Sequence, residues 1–222
     1  MIIVMKKAIL SCLGLILVLS SCVKEPAPVP TGEARVRFVN AGIASSSQDC
    51  YVNSTKKTTV GLTYPQHTPY FTFTNGVTDF IFADEGSTTV GAGTTYLTSI
   101  GSSYSVYYLS SGANKASAIL WSDDNAVVEG KAKVRFMHLN LNLTNASIKI
   151  ATESGTVLTE AVGFLKSSSY YTVDPGTKFA VTATGVTNSP LLDGNLQAGK
   201  NYTIWLNGAT ATELIPHVIL QN

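Results

Sequence analysis

From residue 34 onward the chain alternates between apolar and polar positions. Ala34, Val36 and Phe38 fall on one side, and Arg35 and Arg37 on the other. A period of two predicts a strand with one face buried and one face wet. Phe71 and Phe73 alternate with threonines in the same way. Asn75-Gly76 separates that run from Val77 to Phe82, which predicts a tight hairpin. Asp174-Pro175-Gly176 marks the corresponding turn later in the chain. Threonine, tyrosine and valine are abundant, and no convincing amphipathic helix follows residue 22.

The pattern repeats. Ala34-Arg35-Val36-Arg37-Phe38 returns 98 residues later as Ala132-Lys133-Val134-Arg135-Phe136. Cys50-Tyr51-Val52 meets Ile148-Lys149-Ile150 at the same offset, and Gly101 to Tyr107 meets Gly199 to Trp205. Tyr70 to Gly76 meets Tyr170 to Gly176 at an offset of 100. A period this long marks a tandem pair of domains, not a solenoid. The first domain is read as residues 34–125 and the second as 132–222, with a polar linker around Asp123 to Lys131. About seven short strands per copy imply an all-β fold: two tandem immunoglobulin-like or transthyretin-like β-sandwich domains.

The N-terminus has a different character. Lys6 and Lys7 precede an uncharged apolar run, Ala8 to Leu19, and then Ser20-Ser21-Cys22. Met5 is an alternative start to Met1. A basic start, a short apolar core and small residues before a cut site predict a signal peptide over residues 1–21. The run is about half of the roughly 20 residues a spanning helix needs. Leu19-Ser20-Ser21-Cys22 resembles the lipobox of bacterial lipoproteins, in which the cysteine thiol takes up a diacylglycerol and the freed amine is acylated. Residues 22–33 then form a lipidated cysteine and a proline-rich tether, extended by Pro26, Pro28 and Pro30. Val23, and no aspartate, follows the cysteine. This resembles lipoproteins sorted to the outer membrane, and Lys24-Glu25 resembles the charged surface-export signals of Bacteroidetes lipoproteins. The expected location is the cell envelope, anchored by lipid to the outer membrane, on either its periplasmic or its outer face.

Cleavage before Cys22 removes Lys6 and Lys7 and no acid, so the formal charge moves from +1 to about −1. No basic patch invites nucleic acid. Cys12 leaves with the signal and Cys22 is lipidated, so Cys50 is the one thiol remaining and is expected as a small core hydrophobe.

Candidate chemistry is sparse. His67, His138 and His217 show no metal-ligand spacing and read as loop or surface residues. There is no nucleophile elbow around any serine. Asp123-Asp124-Asn125 lacks the glycine and distal glutamate of a calcium loop. Neither an enzyme site, a metal nor a cofactor is predicted. The one segment that reads as a ligand surface is Leu62 to Tyr70, where Tyr64, His67 and Tyr70 gather on a proline-bearing loop. Rigid loop aromatics make contact surfaces at low entropic cost. Tyr107 and Trp205 hold equivalent positions and read as filling a second sheet face or the domain junction.

The opening Ala-(Arg/Lys)-Val-Arg-Phe, the strand Asp49 to Asn53 and the late Gly-x-x-Tyr-(Ser/Thr)-(Val/Ile) strand together resemble the bacterial domain-of-unknown-function family 4397. The resemblance spans roughly residues 34 to 222. It implies an exported protein, often a lipoprotein with tandem copies, and carries no catalytic residue across. The second copy departs from the family pattern at Leu139 to Leu143. The expected function is a non-catalytic envelope module that binds an envelope protein or polysaccharide. The alternative is an accessory glycan-binding lipoprotein of an outer-membrane nutrient-uptake system.

Overall fold

A computed structural model describes residues 30–110, 116–144, 148–187 and 191–222. The expected signal peptide and Cys22 fall on residues 1–29, outside the described residues. Sixteen strands make up the described secondary structure. The first eight are β1 (Glu33–Asn40), β2 (Gln48–Val52), β3 (Thr55–Lys56), β4 (Phe71–Thr74), β5 (Gly76–Asp84), β6 (Val90–Thr98), β7 (Ser103–Ser110) and β8 (Ala116–Asp123). The second eight are β9 (Ala132–His138), β10 (Ile148–Thr152), β11 (Val157–Val162), β12 (Tyr171–Val173), β13 (Lys178–Ala183), β14 (Leu191–Asp193), β15 (Asn201–Asn207) and β16 (Ile215–Leu220). No described helix is long and apolar enough to cross a membrane.

The repeat is a repeat of topology. The first half makes two sheets, β4-β1-β7-β8 and β3-β2-β5-β6; the second makes β12-β9-β15-β16 and β11-β10-β13-β14. Each strand of one half has its counterpart in the other. The registers agree to the residue: Val36 lies opposite Phe71 and Tyr104, and Val134 opposite Tyr171 and Tyr202. In each half the central pair, β1 with β7 or β9 with β15, is parallel. Parallel neighbours need a long crossover, and here it carries the whole opposing sheet together with the edge strand β4 or β12.

Alternation fills the space between the sheets. Val36, Phe38, Cys50, Phe80, Phe82 and Val106 are fully buried in the first half, and Val134, Phe136, Ile148, Phe179 and Ile204 in the second. Phe38 meets Phe82 edge to face at 5.4 Å, and Phe136 meets Phe179 at 5.0 Å. Each such ring contributes roughly 1.5–3 kcal/mol through burial. Burial also pushes the Cys50 thiol pKa up, so this residue behaves as a core hydrophobe.

Two expectations are corrected. Asn75-Gly76 is no hairpin: β4 pairs with β1, whereas β5 pairs with β2 and β6. A hairpin turn of the Asn-Gly type needs positive φ at both central residues, and only Gly76, at 132°, has it. The step is a corner between sheets, and it sets Phe73 against Phe80 across the core at 5.5 Å. Asp174 to Gly176 turns the same corner between β12 and β13. The described residues hold eight strands in each half, close to the seven or so expected.

The second correction concerns the wet face. Arg37, Lys133 and Arg135 are buried. Their faces of the β1 and β9 sheets pack on the other half, so residues 31–222 form one compact unit with a third core. Tyr107 and Trp205 lie in that core with ring centroids 6.4 Å apart, as their sequence positions implied. Asp123, expected in a polar linker, ends β8 as a buried anion. Its carboxylate pairs with Arg135 at 2.5 Å and accepts hydrogen bonds from Tyr70 (2.7 Å), Ser105 (2.6 Å) and Gln221 (2.7 Å).

Candidate functional site

The residues singled out by sequence do not come together on one free surface. Tyr64 is half-buried at the junction of the halves. Its hydroxyl lies 3.1 Å from His217 Nε2 and 3.3 Å from Asn207 Oδ1. Tyr70 donates to Asp123, and its ring lies under the Arg37 guanidinium at 4.0 Å. His67 alone of the three is exposed. Cys22 lies outside the described residues. His138 and His217 are not surface residues. His138 is fully buried in β9, and His217 stacks on Trp205 at 3.9 Å. His217 lies on the face of β16 that meets the opposite half, which alternation alone does not reveal, whereas His138 shares the inward face of Val134 and Phe136 and bonds Leu143 O at 3.0 Å within its own half. Asp124 pairs with Lys133, and among the described residues no cluster of His, Cys, Asp and Glu could hold a metal.

A concave site does exist, at the end of the first half where the β1–β2 and β5–β6 loops meet the ends of β7 and β8. The described residues leave a cleft of about 550 Å³ there. Its walls carry the hydroxyls of Ser45, Ser46, Ser87 and Thr89, with Tyr108 at the base and Asp84 the one carboxylate among the described lining. The local fold explains each placement. Asn40 closes β1, and its Oδ1 accepts from Gly42 N (3.0 Å) and Ser45 Oγ (3.1 Å), which fixes the loop that carries Ser45. Gly42 lets the Tyr108 ring approach: a Cβ there would lie 3.0 Å from Tyr108 Cε1. The Tyr108 hydroxyl is hydrogen-bonded to Ser110, and its ring packs on Phe82 at 5.3 Å.

Asp84 is held by Ser46 Oγ and by Gln48 Nε2 (2.8 Å), both on Oδ1. These bonds, from Ser46 first and then Gln48, hold its carboxyl below the usual carboxylate range. Oδ2 accepts no hydrogen bond from the described residues. Behind this wall Gln48 is fully buried, and its Oε1 has no partner among the described residues. A buried acceptor left unpaired costs about 1–3 kcal/mol.

The equivalent end of the second half is closed. Ser45, Tyr108 and Ala116 have Leu143, Leu206 and Leu214 as counterparts, and all three leucines are buried in the second core. Asn140 Nδ2 ties the closing loop down, donating to Thr210 O (3.0 Å) and Glu213 O (2.8 Å). Gly208, the counterpart of Ser110, is packed so tightly that a Cβ would overlap the Glu213 carbonyl. Among the described residues the cleft therefore belongs to the first half. Sequence reasoning noted the departure at Leu139 to Leu143 but missed the cleft. Laying the two copies side by side at offset 98 would have exposed the three polar-or-small to leucine exchanges.

The open end continues toward the second half. An adjoining groove of about 330 Å³ shares Ala44 and Ser110 with the cleft and is lined further on by Ile43, Leu141, Asn142 and Asn207.

No curated protein matches the chain. Among solved structures it is similar to a family 26 carbohydrate-binding module of Amy13K from Eubacterium rectale, solved with maltoheptaose. That likeness has 11% identity, 86% of this chain, 97% of that one and a TM-score of 0.26. A candidate cell adhesion protein from Bacteroides uniformis is similar at 12% identity, 85% and 99% coverage and a TM-score of 0.25. Likenesses this loose carry no argument about fold or ligand. The family comparison is different in kind. The profile described as Domain of unknown function (DUF4397) matches residues 34–149. The match begins at Ala34, where the repeat begins, and runs through the first half into β10, more than half of the chain. The chain belongs to the DUF4397 family.

Proposed function

We propose that this protein is a non-catalytic binding module of the cell envelope. In this reading Cys22 carries the lipid anchor, a proline-rich tether follows, and two tandem β-sandwich domains are held out from the outer membrane, with the ligand taken in the loop-end cleft of the first. One observation carries the assignment: among the described residues the same end of the same fold is open and hydroxyl-lined in one copy and filled by Leu143 and Leu214, the counterparts of Ser45 and Ala116, in the other. A packing requirement common to the fold would act on both copies alike. The volume falls within the range of small-ligand sites.

The cleft's chemistry favours binding over catalysis. A general acid needs a raised pKa, or a partner to exchange a proton with. Asp84 is pushed the other way and suits a fixed acceptor. The described lining brings it no histidine, lysine or second carboxylate. The protein's own signals support the location: Lys6-Lys7, the apolar run and Leu19 to Cys22 in order. Two or more acyl chains on Cys22 would hold it stably, where one holds only marginally.

The test has two arms. Cells expressing the protein are fed labelled palmitate. Wild type is expected to incorporate label and to fractionate with outer membrane, whereas Cys22→Ser stays as an unprocessed, unlabelled precursor. The second arm titrates the purified full chain in detergent with fractionated envelope material while amide shifts are followed. Shifts clustered at Ser45, Asp84, Ser87 and Ala116 are expected. Shifts confined to other surfaces would reject the cleft.

A further inference from the structure

The cleft and its adjoining groove form one trough with two kinds of wall. The cleft end offers serine and threonine hydroxyls around a single carboxylate, with no lysine or arginine among the described lining. The groove end offers the aliphatic side chains of Ile43 and Leu141 beside the amides of Asn142 and Asn207. Ala44 and Ser110 belong to both, so an occupant of one reaches the other without leaving the surface.

Each ligand class meets these walls differently. A phosphate or carboxylate would face the fixed anion of Asp84, and the described lining offers no cation to offset it. An acyl chain would strip water from the Asp84 carboxylate, whose Oδ2 accepts no hydrogen bond from the described residues, and a charge left unpaired against an apolar ligand is costly. A sugar chain meets both walls. Its hydroxyl edges are donors and acceptors, which match serine hydroxyls and the unfilled Oδ2 of Asp84. Its C–H faces match aliphatic side chains. The bond to Oδ2 is charge-assisted and so roughly twice as strong as a neutral one. A trough longer than one ring favours several linked residues over a single one.

On the reading that this cleft is the binding site, we infer that its ligand is a neutral or amine-bearing oligosaccharide chain. It lies with a hydroxyl edge on Asp84 and a C–H face over Ile43 and Leu141. Tyr108 is almost fully buried, so its ring serves as a floor, and recognition rests on hydroxyl pairing more than on stacking.

The experiment is calorimetry on the purified full chain in detergent. The probes are cellohexaose, maltohexaose, mannohexaose, xylohexaose and chitosan hexamer, with hexagalacturonate as the anionic control and the matching disaccharides for length. At least one neutral or amino hexamer is expected to bind, at least tenfold more tightly than hexagalacturonate and than its own disaccharide. Asp84→Ala and Asp84→Asn should each weaken it tenfold or more. The pair Ser45→Leu with Ala116→Leu, which copies the closed end of the second half, should abolish it. Unchanged melting temperatures separate loss of contact from loss of fold. Hexagalacturonate binding as tightly as the neutral probes, or hexamer and disaccharide binding alike, would overturn the inference. If no sugar binds but an envelope protein fraction still shifts the cleft amides, the sugar inference falls and the binding site stands. Sugar binding untouched by the Leu pair would sink both.

Discussion

Asp123 and Arg135 form an ion pair across the junction of the two halves, 2.5 Å from oxygen to nitrogen, with side chains 0% and 4% exposed. Arg135 completes its shell on Ser122 O at 2.6 Å and Thr203 Oγ1 at 3.0 Å. Removing one partner strands the other charge in a dry site, which typically costs 3–5 kcal/mol. Asp123→Ala is therefore expected to destabilise the whole molecule by about 3–5 kcal/mol. Urea unfolding followed by tryptophan fluorescence measures it. The double variant Asp123→Leu with Arg135→Met should recover most of the loss, because it removes both charges together. A single variant costing under about 1 kcal/mol would show that the pair is hydrated in solution.

His217 gives a pH dependence with a defined sign. Burial lowers its pKa from 6.5 to about 4. The unfolded chain then binds a proton, between those two values, that the folded chain refuses. Stability is full above about pH 6.5 and falls as the pH drops toward 4, by about 1 kcal/mol at pH 5 once solvent screening of this part-exposed ring is allowed for. His67 is exposed, but partial desolvation of its ring by the surrounding loop shifts it in the same direction. The measurement is thus the difference in slope between wild type and His217→Gln. Equal slopes would remove His217 as the cause.

Tyr64 separates two readings of the same segment. Its hydroxyl bonds within the junction, so Tyr64→Phe should cost about 0.5–1.5 kcal/mol of stability. Ligand affinity at the cleft should stay unchanged, as read by the same calorimetry. A loss of affinity with unchanged melting would return the ligand surface to the Tyr64–Tyr70 loop.

Gly208 and Ser110 are counterparts with opposite tolerances. Gly208→Ala drives a methyl into the Glu213 carbonyl and is expected to cost about 1–3 kcal/mol, the usual range for overpacking. Ser110 already carries a Cβ where Gly208 has none, so Ser110→Ala meets no overlap and should cost only its hydroxyl's bonds, that to Tyr108 among them, about 0.5–1.5 kcal/mol each. A Gly208→Ala variant that melts like wild type would show that the second half's end has room for a side chain.

Much of the fold was legible because it depends on local period. Ala34, Val36 and Phe38 point inward as their alternation requires, and offset 98 carries the whole topology from one half to the other. What alternation cannot report is what lies beyond a strand's outer face. Arg37 and Arg135 read as solvent-facing for that reason, although each faces the other half. Asn75-Gly76 misled because turn chemistry is local, whereas the decision to stay in one sheet or cross to the next is made by Phe73 and Phe80 packing across the core. The cleft was illegible in one copy, since Ser45, Asp84, Thr89 and Tyr108 come from separate segments. It became legible only as a contrast with the leucines that close the other copy.

The parallel pairing of β1 with β7 has a mechanical consequence. The described chain comes in at Glu33 and the cleft lies past Asn40, at the far end of the same strand, roughly 23 Å away at about 3.3 Å per residue. On the proposal that Cys22 carries a lipid and the cleft a ligand, tension between the two would run along β1. Six register pairs to β7 on one side and four to β4 on the other would be loaded together in shear, with no single end pair left to peel first.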